Sequence, residues 1–310
     1  MKRKNFKSIA GLTLIEILIG IVVSSIMMAA IYTTYSIVNT TYNQVLEKAK
    51  VSRSSRDIIE LLIRDTRMAG FKYYLGDNDR GLPKESYLEF VGGASSVKES
   101  HDPIVIIPQQ LGHSIEDTIP TPPQKHNLLD SCCDKIHIVY DDFNQNDDTQ
   151  PYKRYKLTYF ARPLSDTDRD GNIINQRYGI YKSKISWEQA IGQETGKWVA
   201  DCSECYHNEL IRDYVEDMEF IALDKNGKVL TPYPNTLTEE SRRNLYKIRA
   251  IDIRIAFISE KPFFRFESRQ GKERQLTGFS RTPRSFSDRN LRDNVVVTVY
   301  TRNIVGQDIF

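Results

Sequence analysis

The sequence contains few of the residues from which common catalytic and metal sites are built. Its 310 residues include 5 His, 4 Cys and 2 Trp. It has no Gly-x-Ser-x-Gly segment, no Walker-type phosphate loop and no Gly-x-Gly-x-x-Gly segment, which mark hydrolases, nucleotide hydrolases and dinucleotide-binding folds. We therefore predict that the chain is not an enzyme. The histidines are too scattered for a metal site and are predicted to be surface or hydrogen-bonded structural residues: His101, His113, His126, His137 and His207.

The sequence also lacks a strong net charge and has one long apolar run. With 43 basic and 41 acidic residues, overall charge indicates no particular partner. From Leu12 to Tyr32 the only charged residue is Glu16, and such a helix would span roughly 31 Å, enough to cross a bilayer. The basic residues before the run predict a cytoplasmic N-terminus and a head on the far side of the membrane. A cleaved secretory signal is the alternative.

Glu16 is out of place in an apolar run. A carboxylate at the centre of a spanning helix costs about 2.5–3.5 kcal/mol, and less near one end. It either reaches the membrane interface or pairs with a cation from another chain. Opposite charges about 4 Å apart gain around 4 kcal/mol at an effective dielectric constant of 20, which would offset the insertion cost in an assembled state.

Residues 11–16, Gly-Leu-Thr-Leu-Ile-Glu, follow a basic leader and open the apolar run. This pattern resembles the class III signal of type IV pilins and of type II secretion pseudopilins. The resemblance implies cleavage by a prepilin peptidase after Gly11, N-methylation of Leu12, and pairing of Glu16 with the N-terminal amine of a neighbouring subunit. The family usually has Phe or Met at the first mature position, where this chain has Leu12.

One helix followed by a β-rich head is predicted for the rest of the chain. Apolar residues at three- and four-residue spacings continue past the membrane, and Gly70 is a helix stop, so we expect a helix from about residue 14 to 69. Short β-branched and aromatic segments separated by turn residues follow. The predicted fold class is α+β, type IV pilin-like: a leader at 1–11, a helix at 12–70 whose second half packs on the head, and a head at 71–310. A coiled-coil stalk is the alternative for the helix. The apolar stripe comprises Tyr35, Val38, Tyr42, Val45, Leu46 and Ala49, then Ile58, Leu61, Leu62 and Met68.

Two further segments carry a narrower resemblance. Residues 64–71, Arg-Asp-Thr-Arg-Met-Ala-Gly-Phe, and residues 297–303, Val-Thr-Val-Tyr-Thr-Arg-Asn, are similar to segments of PilW-type minor pilins. The resemblance implies a subunit that initiates type IV pilus assembly within a tip complex, with other minor pilins and the major pilin as partners. It implies an inner-membrane prepilin with a periplasmic head, and roles in motility, adhesion or DNA uptake. A GspJ-like pseudopilin of type II secretion is the alternative.

The four cysteines predict disulfides, because a head outside the cytoplasm is in an oxidising compartment. Three pairings are possible. Since adjacent cysteines bond only with strain, pairing of Cys132 and Cys133 with Cys202 and Cys205 is favoured. A zinc site built from all four thiolates is the alternative.

A calcium loop is predicted at residues 166–177, Asp-Thr-Asp-Arg-Asp-Gly-Asn-Ile-Ile-Asn-Gln-Arg. Asp166, Asp168 and Asp170 alternate, and Asn172 would add its backbone carbonyl, so hard oxygen ligands can surround one Ca²⁺. Arg177 stands where an EF-hand has its bidentate Glu, so a distant acid, which residues 140–148 could supply, is expected to complete the ligand shell. The alternative is a metal-free turn. No cofactor is required by any other feature.

A basic, aromatic segment is the last candidate site. Residues 261–292 contain nine Lys or Arg and three acids, with interleaved Phe. Basic residues hold phosphates and aromatic rings stack on bases, so the segment is a candidate tip module for DNA or surfaces. The alternative is a solvated loop whose Phe side chains enter the core. The candidate contacts are Arg265, Arg269, Arg274 and Arg281.

Overall fold

In the part of the chain that it describes, a computed structural model contains a long N-terminal helix, a short second helix and ten strands. It describes residues 13–71, 102–108, 132–143, 152–167, 173–188, 197–231, 234, 239–264, 266, 273–279 and 283–304. Two compact units are present, residues 1–49 and 50–310. The helices and strands are α1 (Leu14–Met68), β1 (Ile104–Ile107), β2 (Lys135–Phe143), β3 (Tyr152–Thr167), β4 (Ile173–Glu188), β5 (Lys197–Val199), β6 (Tyr206–Leu223), α2 (Glu239–Leu245), β7 (Ala250–Ile258), β8 (Arg274–Leu276), β9 (Arg284–Phe286) and β10 (Arg292–Tyr300).

The helix α1 ends where the sequence predicts. Gly70 has φ of 73°, a left-handed conformation that glycine adopts without steric penalty and that commonly closes a helix. The N–H of Phe71 bonds to the carbonyl of Met68 at 3.0 Å. A Cβ at position 70 would lie 3.1 Å from Cγ1 of Ile304, so the close approach of the chain's tail also favours glycine here.

The head is built around one antiparallel sheet in the order β1-β2-β3-β4-β6-β7-β10, with β5 paired to β4. β6 is 18 residues long and has two partners. Its first part pairs with β4 from Tyr206 to Val215, and its second part pairs with β7 from Val215 to Leu223. Register shifts and positive φ values at Asn208 and Tyr214 mark the irregular part of this strand. β8 and β9 form a separate two-stranded ribbon.

The core lies on one face of this sheet. Alternate residues of β7 are fully buried there, namely Ile251, Ile253, Ile255 and Phe257, as the alternation of the sequence predicts. The second part of α1 covers the same face and contributes Val51, Ile58, Ile59, Leu62 and Ala69 to the core. The predicted α+β class, with a long helix and a β-rich head, is confirmed. A free coiled-coil stalk does not describe residues 50–69, because they are part of the head's core.

The predicted apolar stripe divides into two parts. Ile58 and Leu62 are buried as expected. Tyr35, Val38 and Tyr42 are exposed. Apolar residues at helical spacing therefore do not by themselves distinguish a face that this chain buries from one that it leaves open.

Candidate assembly site

The first turn of α1 places Glu16 in a capping box. Its carboxylate Oε2 accepts hydrogen bonds from the backbone N–H of Thr13 at 2.8 Å and from the Thr13 hydroxyl at 2.9 Å. The N–H of Glu16 in turn donates to the Thr13 hydroxyl at 3.4 Å. This reciprocal pattern satisfies helix donors that have no partner within the helix, and a negative charge at the helix N-terminus is favourable. The Thr-x-x-Glu spacing was readable in the sequence but was not used there.

The residues that follow form an exposed apolar helix. Within the residues that the structure describes, α1 is the one helix long and apolar enough to cross a membrane, and none of its most apolar window is buried. The hydroxyls along it bond to backbone carbonyls of the same helix: Ser25 to Ile21 at 2.7 Å and Thr34 to Ala30 at 2.9 Å. Because these polar groups are satisfied internally, they are compatible with apolar surroundings. The predicted cleavage residues Gly11 and Leu12 lie outside the described residues.

Asp65 anchors the second part of α1 to the sheet. Its Oδ2 lies 2.6 Å from Nζ of Lys182 on β4 and accepts a 2.5 Å hydrogen bond from the hydroxyl of Tyr159 on β3. The side chains of Asp65 and Lys182 are 6% and 7% exposed. Burial raises the pKa of Tyr159, and the Asp65 carboxylate raises it further. The pair therefore fixes the rotation of the helix on the sheet, since only this face of the helix presents the carboxylate.

The two segments that resemble PilW-type chains meet in the structure. The side-chain amide of Asn303, just after β10, donates to the carbonyl of Arg67 at 2.9 Å. The N–H of Gly70 donates to the carbonyl of Val139 at 2.8 Å. These contacts satisfy carbonyl and N–H groups at the end of α1 that the helix itself leaves unpaired, so the helix exit and the chain's tail form one structural unit.

The cysteine pairing differs from the favoured prediction. Cys132 is bonded to Cys133, and Cys202 is bonded to Cys205 across a Cα separation of 4.9 Å. The cross-pairing expectation is wrong because Cys202 and Cys205 close a tight turn of their own, in which the N–H of Cys205 bonds to the carbonyl of Cys202 at 3.0 Å. Among the described residues the four sulfurs do not converge, and the group able to hold a metal combines Cys132 and Cys133 with Asp217. The four-thiolate zinc alternative is therefore wrong as well.

The turn closed by Cys202 and Cys205 is held on the sheet by Glu204. Its Oε2 accepts hydrogen bonds from the hydroxyl of Tyr155 and from Nζ of Lys184, both at 3.1 Å. The hydrogen bond from Lys184 lowers the pKa of Glu204. The disulfide thus secures the position of a carboxylate that joins the turn to β3 and β4.

A buried charge cluster lies on the face of the sheet opposite α1. Nη1 of Arg254 on β7 is 2.8 Å from Asp217 and 3.4 Å from Glu219, both on β6. All three side chains are 3% exposed or less. Glu219 also accepts the N–H of Phe279 at 2.8 Å. Alternation along β7 places Arg254 on the face opposite Ile253 and Ile255, and there it is buried.

The basic segment uses its described arginines within the head. Arg292 makes paired hydrogen bonds of 2.8 and 2.7 Å to Asp288 and lies 3.3 Å from Glu216. Arg284 is 3.7 Å from the same Glu216. Burial raises the pKa of Glu216, while the charges of Arg292 and Arg284 act in the opposite direction.

Of the four predicted DNA contacts, Arg274 is described, and Arg265, Arg269 and Arg281 lie outside the described residues. The guanidinium of Arg274 lies 3.6 Å from the ring centroid of Phe264 and donates to the carbonyl of Asp288. The alternative for this segment, in which its Phe side chains enter the core, is wrong for two of them. Phe266 and Phe279 are 71% and 38% exposed.

Residues 168–172 of the predicted calcium loop lie in the connection between β3 and β4. Asp168, Asp170 and Asn172 are outside the described residues. Asp166 is the second-to-last residue of β3. Asp141, in the segment that was expected to complete the ligand shell, is bonded to Arg154 at 2.6 Å in a buried pair. Its carboxylate is therefore already engaged, and calcium binding stays a prediction.

Comparisons with known proteins agree with the N-terminal segment. The family model described as the prokaryotic N-terminal methylation motif matches residues 6–32, so the predicted class III signal is confirmed as a motif. A comparison with curated protein sequences found no match. Among solved structures, a type IV-like pilin from Thermus thermophilus is 12% identical, with a TM-score of 0.40, over 82% of this chain and 96% of that chain. At this TM-score the description of the fold rests on the helix and strands themselves.

Proposed function

We propose that the chain is a minor pilin of a type IV pilus, made as a prepilin and cut by a prepilin peptidase between Gly11 and Leu12. The observation that carries the proposal is the methylation motif at residues 6–32, which includes the exposed apolar start of α1 with Glu16 in its first turn. Leu12 receives the N-methyl group. The role is structural and not catalytic.

Glu16 is the assembly residue in this proposal. In the single chain its carboxylate is held by Thr13, and this bond costs little to exchange because the site is exposed. In the assembled state the carboxylate pairs with the N-terminal amine of a neighbouring subunit. A buried ion pair of this kind sets register between chains, which is the best-attested use of such pairs.

The subunit initiates assembly and stays in the tip complex with other minor pilins and the major pilin. Support comes from the contact between Asn303 and the end of α1, which joins the two segments that resemble PilW-type chains. Before assembly the prepilin is held in the inner membrane with its head in the periplasm, as the basic leader indicates. Motility, adhesion or DNA uptake then depends on the completed filament.

The test is mass spectrometry of the mature N-terminus, from cells with and without prepilin peptidase. A chain that begins at Leu12, with or without a methyl group, supports the proposal when it disappears in the peptidase mutant. An intact Met1 in both strains would leave a membrane-anchored protein outside the pilin pathway. A cut near residue 30 would make the chain a secreted protein.

Secretion is the second candidate, since pseudopilins share the same leader and helix. Deletion of the gene separates the two, with loss of surface pili expected for a minor pilin and loss of a secreted substrate expected for a GspJ-like pseudopilin. The proposal does not include direct DNA binding. Arg274, Arg284 and Arg292 are engaged within the head, so the described part of the basic segment gives no observation in favour of it.

A further inference from the structure

β10 is an edge strand of the sheet, in the part of the chain that the structure describes. Its nine residues pair with β7 without a register shift, and no described strand pairs with its other side. The opposite edge of the sheet is β1, which has four residues. A strand edge presents a row of backbone donors and acceptors, and proteins commonly keep such edges short. The length of β10 is therefore unusual for an edge.

Hydrogen bonds at the two ends of β10 show which backbone groups point to the open side. The N–H of Thr301 donates to the carbonyl of Arg249 at 3.0 Å, and the N–H of Ser259 donates to the carbonyl of Leu291 at 2.8 Å. Because bonded pairs in an antiparallel ladder recur at every second residue, the odd-numbered residues of β10 are bonded to β7. The even-numbered residues direct their N–H and C=O groups to the open edge: Arg292, Asn294, Val296, Thr298 and Tyr300.

The open edge lacks the features that discourage strand pairing. From Asn294 to Tyr300 the strand has no charged residue and no proline, and its pairing with β7 has no bulge. Val296 and Tyr300 are 54% and 70% exposed. Lysine, proline and bulges are the usual means by which natural edges avoid pairing with other chains. This edge is therefore suited to receive a further strand.

A groove with surplus positive charge lies where this edge ends. Its charged lining residues come from the last turns of α1 and from the segment after β10: Glu60, Arg64, Arg67 and Arg302. Arg64 lies 3.2 Å from Asp65. Within the described residues, Arg67 and Arg302 are exposed and have no ion-pair partner. Arg302 also borders a second groove with Tyr300, so this residue links the open edge to the positive groove.

We propose that, in the pilus, the open edge of β10 receives an extended segment of a neighbouring subunit by strand addition. This inference rests on the proposed function. Main-chain hydrogen bonds to the even-numbered residues supply affinity, and alternate side chains supply specificity. The segment is uncharged and rich in β-branched residues where it meets residues 294–300, since such pairs stabilise neighbouring strands.

The segment carries a carboxylate where it meets Arg302. A guanidinium binds a carboxylate through paired, charge-assisted hydrogen bonds, and Arg67 in the same groove is the second donor. A second copy of this chain does not supply that carboxylate through its own β10. With the two strands antiparallel over their full length, Arg302 would lie opposite Asn290 of the second copy. With the strands parallel and in register, two like charges would meet. Charge complementarity therefore favours a subunit of another type.

The first experiment compares Val296→Pro with Val296→Thr. Proline at this position removes an N–H that the head does not use and blocks the added strand, whereas threonine keeps both the N–H and the β-branched shape. Both variants should keep the circular dichroism and urea unfolding of the full-length chain in micelles. In sheared pili, immunoblotting should show at least about tenfold less Val296→Pro than wild type, and Val296→Thr at the wild-type level.

A second experiment uses the wild type, so it does not depend on the folding of a variant. Amide hydrogen exchange, resolved to single residues by fragmentation mass spectrometry, is compared for the chain in micelles and in sheared pili. The N–H groups of Asn294, Val296 and Thr298 should exchange at least about tenfold more slowly in pili. Those of Val295 and Val297 are already bonded to β7 and should change less.

The carboxylate is tested with Arg67→Gln/Arg302→Gln. This variant should be incorporated less than wild type, and the matched control Lys197→Gln/Lys228→Gln, which removes two exposed charges elsewhere on the head, should be incorporated normally. Equal incorporation of the two variants would overturn the assignment of the carboxylate.

Normal incorporation of Val296→Pro would overturn strand addition and leave the proposed function intact. Equal exchange of the even-numbered amides in micelles and in pili would do the same. Absence of the wild-type chain from pili would overturn both the inference and the proposed function.

Discussion

Removing one partner of the Asp65–Lys182 pair is expected to loosen α1 from the sheet. In Lys182→Met the apolar replacement keeps most of the side-chain volume, and Asp65 stays buried with the Tyr159 hydroxyl and the exposed Arg64 as its remaining partners. Breaking a buried ion pair from one side costs about 3–5 kcal/mol, because an uncompensated charge is left behind. The Tyr159 bond places the expected loss near the lower value.

The double variant Asp65→Leu/Lys182→Met tests whether the loss comes from the stranded charge. No charge is left unpaired in it, so it is expected to be more stable than Lys182→Met. It still leaves the Tyr159 hydroxyl without its acceptor, which costs about 1–3 kcal/mol. The two changes are therefore non-additive, as expected for residues in direct contact.

The assay is urea unfolding of the full-length chain in detergent micelles, followed by near-ultraviolet circular dichroism. Lys50→Gln is the matched control, because Lys50 and Glu260 form a pair whose side chains are 54% and 48% exposed, and such pairs contribute at most about 1 kcal/mol. If Lys182→Met lost no more stability than Lys50→Gln, the reasoning that Asp65 anchors the helix would be refuted.

Glu16→Gln is expected to preserve the helix cap, since Gln also fits a capping box, and to prevent incorporation of the subunit into filaments. Incorporation is measured by immunoblotting of sheared pili, with Thr13→Val, which removes the cap alone, as the control. Normal incorporation of Glu16→Gln would contradict the charge-pairing role. Cys202→Ser/Cys205→Ser should lower the free energy of unfolding by about 2 kcal/mol for so short a loop, and unchanged urea unfolding would show that the turn forms without the bond. Because burial raises the pKa of Tyr159, the contribution of this tyrosine to the free energy of unfolding is complete below about pH 10 and is lost as the pH rises further. In Tyr159→Phe the free energy of unfolding should therefore fall less steeply with rising alkaline pH. The same slope in wild type and variant would refute this. Calcium should raise the melting temperature of the wild type but not of Asp168→Asn. Equal melting temperatures of the wild type with calcium and with chelator would show that the predicted calcium site is wrong.

Features encoded by neighbouring residues could be predicted from the sequence. The methylation motif, the apolar helix and its end at Gly70 each depend on a few adjacent positions. The same holds for β7, where alternation predicts which residues enter the core. The capping box at Thr13 and Glu16 belongs to this class too, and the Thr-x-x-Glu spacing would have identified it.

Contacts between distant residues could not be predicted in this way. Asp65 reads as an ordinary polar position of an amphipathic helix, yet its partner Tyr159 is 94 residues away in sequence. The cysteine pairing failed for a related reason. An argument against bonding adjacent cysteines takes no account of the turn that brings Cys202 and Cys205 together, nor of the contacts that bury Cys132 and Cys133.

The basic segment shows why a run of charge is weak evidence for a ligand. Nine basic residues against three acids within 261–292 suggest a positive surface only if the segment is considered alone. Besides Asp288 within the segment, its described arginines are engaged by Glu216 on β6, 76 residues before Arg292. Glu219, also on β6, is bonded to the backbone of Phe279 across 60 residues. Glu219 lies on the face of β6 that points away from the core, where an acid would ordinarily be solvated, and the register shift between Val215 and Asp217 breaks the alternation that would put Glu216 on the other face. The ribbon of β8 and β9 is held over that face by these contacts, so the positive charge of the segment and the negative charge of the strand form one intramolecular interface.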